Sequence, residues 1–444
     1  MRRWSFAVLA ACVVGNACAA EPMKLTLSDA VRLALAQNRI LKIARLKIAE
    51  NEQKKAAARA DYFPKIKNES NFLHVTALEN IDIPRGAFGV FSGTGPVPPH
   101  DVLLGQGSQS VETIGTGAAQ PLTPLIRIRE ANKIAASEVS ASRDELKKVE
   151  NQVAVKVHQV YYGILMAALQ KKAAEQEGIY ARTRLSENEQ EVRNGNALNL
   201  DVIDSRAGLL QSDQTLLTIE LRVADLNAEL DDLLGIPLDT PLVLSPAAVT
   251  DGAGMPREEV LRLALAENPE IAAASESVAQ AKAAVTAAKS AFIPDISIFA
   301  RQSYQNGVPF LVHNFGTFGA TLSYDVFDFG KRRAEVRQRE AQLAQAEENV
   351  ERLKDEVSVQ IQQSYNKVER TRKMLDVAAE VVKLRTEGER VVQNQLAQGT
   401  VLVSARRQAS AASYKAQADL LEAQLAHLLA RAELEQTIGR TPGR

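Results

Sequence analysis

Val31-Arg-Leu-Ala-Leu-Ala-Gln-Asn38 recurs almost letter for letter as Leu261-Arg-Leu-Ala-Leu-Ala-Glu-Asn268. The correspondence runs on without a gap, with Tyr62-Phe63-Pro64-Lys65-Ile66 falling on Phe292-Ile293-Pro294-Asp295-Ile296. The register then shifts once and holds again. Val153-Ala-Val-Lys-Val-His-Gln-Val-Tyr161 falls on Val357-Ser-Val-Gln-Ile-Gln-Gln-Ser-Tyr365, Asn194-Gly195-Asn196 on Gln398-Gly399-Thr400, and Leu234-Gly235 on Ile438-Gly439. The first copy therefore carries an insertion of about 26 residues after Pro64, a difference that surface loops tolerate. A repeat this long is a duplicated, domain-sized module rather than a solenoid unit. The division is a leader over 1–20, a first repeat over 21–235, a linker over 236–255, a second repeat over 256–439 and a tail over 440–444.

Each copy reads helix, strand hairpin, long helix, return helix. Ser28 stands where an N-cap is needed, and apolar residues follow at helical spacing through Val31, Leu35 and Ile43 up to Ala58. Pro64 and Pro294 end these segments. From Thr317 to Val326 the chain alternates. Phe318, Ala320, Leu322, Tyr324 and Val326 share one face, and Thr317, Gly319, Thr321, Ser323 and Asp325 the other. Ile296, Ile298 and Ala300 begin a similar strand, and 65–77 and 109–120 are the first-copy counterparts. The Gly/Pro-rich loop 78–108 is expected to be exposed and irregular. Two proline-free stretches follow, Ile126 to Arg193 and Lys331 to Gln398, each about 100 Å long as continuous helix. Leu343, Ala346, Val350, Leu353, Val357 and Ile361 step by three and four, the mark of a coiled-coil seam. Gly195 and Gly399 then turn each chain into its return helix.

The formal net charge of -1 gives no basic footprint for nucleic acid. Arg2 and Arg3, the apolar run Phe6 to Val14, and Ala17-Cys18-Ala19-Ala20 form a secretory leader. Cys18 admits lipidation as an alternative, although Gly15 and Asn16 fit a lipobox poorly. Both cysteines lie in this leader, so the mature chain has no disulfide framework. Beyond it no apolar run approaches the ~20 residues of a transmembrane helix. The mature protein is either soluble and exported or crosses a membrane as a β-barrel.

Of twelve Phe, all but the leader's Phe6 lie within Phe63–Phe91 and Phe292–Phe329, the strand windows. This fits an aromatic girdle of a barrel or the core of a soluble β-domain. If a barrel, four strands per chain cannot close, because open edges in lipid leave backbone groups unpaired. Three chains would supply twelve strands, enough for a lumen.

Leu27-Ser-Asp-Ala-Val-Arg-Leu-Ala-Leu-Ala-Gln-Asn38, the repeated aromatic-x-Pro at Tyr62 and Phe292, Gln120-Pro-Leu122 and Phe327-Asp-Phe-Gly-Lys-Arg332 together resemble the TolC-like outer-membrane efflux protein family. The resemblance spans Leu25 to Gly439. It implies an α+β membrane protein whose duplicated module builds a trimeric twelve-stranded outer-membrane β-barrel from 64–121 and 294–327. A long periplasmic α-helical coiled-coil barrel would continue it. It implies a passive exit duct of a tripartite efflux pump or type I secretion system. The duct would be a homotrimer in outer-membrane lipid, meeting a periplasmic adaptor and an inner-membrane pump. Asn194, Gly195, Asn196, Gln398, Gly399 and Thr400 would form the periplasmic tips that contact the adaptor. The family's gate arginine and aspartates fall here on Val401, Ala405 and Gln408, so that chemistry does not carry over. Asp201 and Asp204 remain for an acidic constriction or a cap of the return helix, with Arg206 beside them and Arg406 and Arg407 as further basic groups.

His74, His100, His158, His313 and His427 are scattered and match no metal spacing, and neither a GxSxG nor a P-loop occurs. No enzyme and no cofactor is therefore expected. His158 aligns with Gln362, which implies a helix-surface or seam position. Lys331-Arg332-Arg333 reads as facing headgroups or as a solvated turn. The rival function is a periplasmic adaptor or coiled-coil scaffold, although such a protein usually has one hairpin and no full-length duplication.

Overall fold

A computed structural model describes residues 23–238, 240–245, 255–308 and 311–442. The predicted leader and Cys18 lie outside the described residues. In chain order the elements are β1 (Met23–Leu25), α1 (Leu27–Gln37), α2 (Arg39–Ala60), β2 (Lys65–His74), β3 (Ile81–Ile83), β4 (Val90–Phe91), β5 (Gly95–Pro96), β6 (Val102–Leu104) and β7 (Ser110–Pro121). There follow α3 (Leu125–Arg193), α4 (Asn199–Leu234), β8 (Leu242–Leu244), α5 (Arg257–Glu267), α6 (Pro269–Lys289), β9 (Asp295–Asn306), β10 (Asn314–Ser323), α7 (Lys331–Ala397) and α8 (Val403–Ile438). Among the described residues no helix is long and apolar enough to cross a membrane.

The chain divides into two compact units. The first comprises residues up to 45, 145–271 and 353–444. Its larger core gathers Leu25, Val31, Ala34, Leu41, Val157, Tyr161, Leu230 and Leu234. A smaller one gathers Val260, Ala264, Ile271, Val357, Ile361 and Ile438. Residues from both copies recur in the two cores at equivalent positions, because the same apolar spacing is written twice.

Thr26, not Ser28, caps α1: its hydroxyl accepts from the Asp29 N–H at 3.2 Å. The expected single helix to Ala58 is broken at Asn38, and the break is a clasp. The Asn38 side-chain carbonyl accepts from Ile40 N–H at 2.9 Å, starting α2, while its amide donates to Leu233 O at 3.0 Å. That carbonyl is one of the orphan acceptors at the end of α4. The second copy repeats the device. Asn268 accepts from Glu270 N–H at 2.8 Å and donates to Thr437 O at 3.1 Å, and Pro269 opens α6 where its missing N–H costs nothing. Both asparagines are buried.

The linker is more than a tether. Its β8 pairs in parallel with β1, and the buried Tyr161 hydroxyl donates between Ser245 O at 2.6 Å and Leu25 O at 3.0 Å. Burial and the neighbouring Tyr161 push the Tyr162 phenol up to about 12. His158 sits in the seam rather than on the surface. Its Nδ1 donates to Ala154 O at 2.8 Å, and burial lowers its pKa.

The second unit comprises residues 46–144 and 272–352. It holds a four-stranded antiparallel sheet in the order β10-β9-β7-β2. β10 ends at Ser323, short of the expected Val326, because the chain there folds around Arg332. The loop 78–108 is not irregular: β3 pairs with β6 and β4 with β5. Phe88, Val90 and Phe91 are nonetheless exposed on it. α2 and α3 are joined by Asn51 donating to Ser142 Oγ and by Asn132 donating to Ala58 O at 2.8 Å. α6 and α7 carry the pairs Lys282–Glu347 and Lys289–Glu340, each worth about 0–1 kcal/mol at the surface.

Candidate functional site

The hairpin ends in the first unit are built twice. Gly195 and Gly399 take left-handed φ values of 77° and 70°. Asn196 N–H donates to Glu191 O at 2.8 Å and Thr400 N–H to Gln395 O at 3.0 Å, the wrapped end that a left-handed glycine permits. The caps of the two return helices differ. Asp201 accepts from Leu198 N–H at 3.0 Å, so this carboxylate caps α4. Asn188 donates to Asp201 O at 3.2 Å and to Ser205 Oγ at 2.6 Å, holding α3 against α4. Asp204 and Arg206 are exposed, Ala405 is half-buried and Gln408 exposed.

α8 has Leu402 at its N-cap, which offers no side-chain acceptor. Glu187 supplies one from the other hairpin: its Oε1 accepts from Ser404 N–H at 2.9 Å. A carboxylate is favoured at a helix N-terminus. The structure thus brings together Glu187 and Ser404, a pair that sequence reading missed. The one available signal was the apolar N-cap itself, which asks for a cap from elsewhere. The Nε of Arg407 is enclosed without a hydrogen-bond partner among the described residues.

In the second unit the strand register fixes the two faces of the sheet, since directly opposed residues point the same way. One rung reads Phe318, Ala300, Ala118, Ile66. The adjacent rung, on the other face, reads Thr317, Arg301, Gly117, Lys67. That first face continues through Ile298, Ile114, Phe72 and Leu322, all exposed, with Asn68, Thr116 and Gln302 as polar residues among them. The polar face lines a hollow of about 600 Å³ with Lys65, Lys67, Glu69, Ser297 and Arg301. Arg301 lies flat across β7 and reaches Glu69 on β2 at 3.2 Å. A Cβ at Gly115 would stand 2.4 Å from its guanidinium, so this glycine leaves the room the side chain uses in crossing the strand. Phe299 lies over Gly319 in the same manner.

Where β10 meets α7, Lys331 and Arg333 are exposed, while Arg332 between them is half-buried and paired rather than solvated. It binds Asp328 at 2.6 Å, donates to Asp325 O at 2.6 Å, and stacks on Tyr324 at 4.8 Å. Its side-chain bond, with backbone N–H groups of Arg332 and Gly330, holds the Asp328 carboxyl down at about 2. A depressed carboxylate contributes stability above its unfolded value and loses it as pH falls through the folded one. Asp328→Asn should therefore flatten the dependence of melting temperature on pH between about 4 and about 2, read in detergent by circular dichroism. An unchanged profile would show the pair to be without weight.

The sequence profile described as outer membrane efflux protein matches residues 30–236 and 260–440. The chain belongs to the outer membrane efflux protein family. Its location is accordingly the outer membrane, with a periplasmic extension. This efflux protein family member is 25% identical over 314 residues to the alkaline protease secretion protein AprF of Pseudomonas aeruginosa. That match covers 66% of the chain and 60% of the relative, so the chain spans less than two thirds of that protein's length. In structure it resembles the outer membrane channel CmeC of Campylobacter jejuni, with TM-score 0.76 and 14% identity over 93% of this chain and 85% of that one. It also resembles the outer membrane protein VceC of Vibrio cholerae, with TM-score 0.73 and 15% identity over 93% and 96%. At such identities these likenesses establish the fold, that of TolC-like channels with a helical barrel, and nothing further.

Proposed function

We propose that the protein is a passive exit duct, carrying solutes or polypeptide from an inner-membrane pump and its periplasmic adaptor to the exterior. The observation that carries this reading is the sheet with two free edges, β2 and β10, in a member of an outer-membrane family. Its four strands alternate in direction, so β2 of a second copy beside β10 continues the antiparallel order. Repetition of that one contact closes a ring, and three copies give twelve strands. The division into leader, two repeats, linker and tail, and the span of 64–121 and 294–327 in the barrel, belong to this proposal. So do adaptor contacts at Asn194, Gly195, Asn196, Gln398, Gly399 and Thr400.

Light scattering on detergent-extracted protein, corrected for bound detergent, tests it. A trimer is expected. A monomer that needs no detergent would overturn the reading and favour the adaptor alternative, as would release from membranes by alkali.

Glu187 is proposed as the tie that holds the second tip closed, in place of the arginine absent at Val401. Glu187→Ala removes a cap worth about 0.5–2 kcal/mol. The open fraction should rise by about 2- to 30-fold, seen as greater resting conductance in planar bilayers. Glu187→Gln keeps an acceptor and should lie near wild type. Equal behaviour of the two variants would refute the tie. Asp201 is proposed to act as the cap of α4, as its bond to Leu198 N–H supports, and not as part of an acidic ring.

A further inference from the structure

We infer that the hollow face of the sheet is a fixed-charge belt that makes the duct favour anionic solutes, with Lys67 as the residue that sets the preference. The inference rests on the barrel reading above and adds a selectivity to it.

The charged side chains Lys65, Lys67, Glu69 and Arg301 gather on the face that lines the hollow, and the opposite face carries Ile66, Ala118, Ala300 and Phe318 at the same level, so in a closed barrel the first is placed toward water. On the polar face, Lys65 is paired with Asp61 at 3.0 Å and Arg301 with Glu69 at 3.2 Å. Lys67 shares its rung with Arg301, separated only by Gly117. Arg301 does not lean toward Lys67. It crosses the saddle left by Gly115 and is neutralised by Glu69, one pair further along its strand neighbours. Lys65, Lys67 and Arg301 against Asp61 and Glu69 leave one positive charge per chain on this stretch of wall.

Lys67 is exposed on the hollow and supplies that charge. Symmetry places one copy per subunit at a single level. Rings of Lys or Arg favour anions in pores. Gly115, Gly117 and Gly319 leave room for Arg301 and Phe299 to lie along the sheet.

The test uses Lys67→Cys in the assembled channel. The two native cysteines, Cys12 and Cys18, lie in the predicted leader, so the new thiol reacts alone. Reversal potential is measured across a planar bilayer under a potassium chloride gradient. Wild type is expected to prefer chloride. A cationic methanethiosulfonate should restore that preference to the variant, and an anionic one should shift the reversal potential toward potassium. Lys67→Glu should shift it the same way. Because modification follows assembly, folding is not in question. A conducting trimer whose reversal potential ignores both reagents and Lys67→Glu overturns the belt and leaves the duct intact. A protein with neither trimer nor conductance fails the duct reading itself.

Discussion

Gly439→Ala is expected to destabilise the protein strongly, at the turn that closes the second copy. Gly439 has φ 103°, and a Cβ there would stand 2.5 Å from Glu267 O and 2.9 Å from Glu267 C. The contact is backbone on backbone, so no side chain can give way. Left-handed strain costs about 1–3 kcal/mol and overpacking about as much again, so roughly 2–6 kcal/mol is expected. The blow falls on the clasp, because Glu267 adjoins Asn268, whose amide holds Thr437 O. Gly235→Ala, at the equivalent turn, meets Gln37 O at a looser 3.0 Å and should cost less. Gly208→Ala, inside α4 with nothing within 4 Å, should be neutral or stabilise by about 0.5–1 kcal/mol. Thermal melting in detergent ranks the three. If Gly439→Ala melts with wild type, the close approach at the clasp is not what the geometry says it is.

The duplication, the long helices and the alternation in the strands were legible because each is a periodic property of the sequence. The seam Leu343, Ala346, Val350, Leu353, Val357, Ile361 is buried or half-buried at every position. The clasp was half legible. Asn38 and Asn268 stood out as copies of one another, but their partners lie 195 and 169 residues away. The same limit hid Arg301 and Glu69, 232 residues apart, and Glu187 and Ser404, 217 apart. Such pairs depend on strand register and helix docking, which no local pattern states. The cap at Thr26 was misread because Thr26 and Ser28 are both capping types two residues apart, and only backbone geometry chooses between them. The short strands in 78–108 were missed because two- and three-residue pairings carry no period.

Phe318→Arg is the second large effect expected, and it tests which face of the sheet meets lipid. Phe318 lies midway along β10 and is 89% exposed in the single chain. Its rung carries Ala300, Ala118 and Ile66, none of which can pair with a charge. A charge at the bilayer midplane on the lipid face costs about 2–4 kcal/mol, incurred once per subunit. Thr317→Arg moves the same charge by one residue, to the polar face. There it meets Arg301, which Glu69 already neutralises, in a wall open to water. Its cost should stay well below that of Phe318→Arg. Phe318→Leu keeps the face apolar and controls for loss of the ring. The measurement is denaturant unfolding of the channel reconstituted in liposomes, together with the assembled fraction in outer membranes. Phe318→Arg should fail to assemble or unfold at much lower denaturant, with Phe318→Leu and Thr317→Arg close to wild type. The reverse order, with Thr317→Arg the worse, would exchange the two faces and carry Lys67 and Arg301 into lipid. Two adjacent positions on one strand thus decide whether the hollow is the lumen, and the charge belt stands or falls with them.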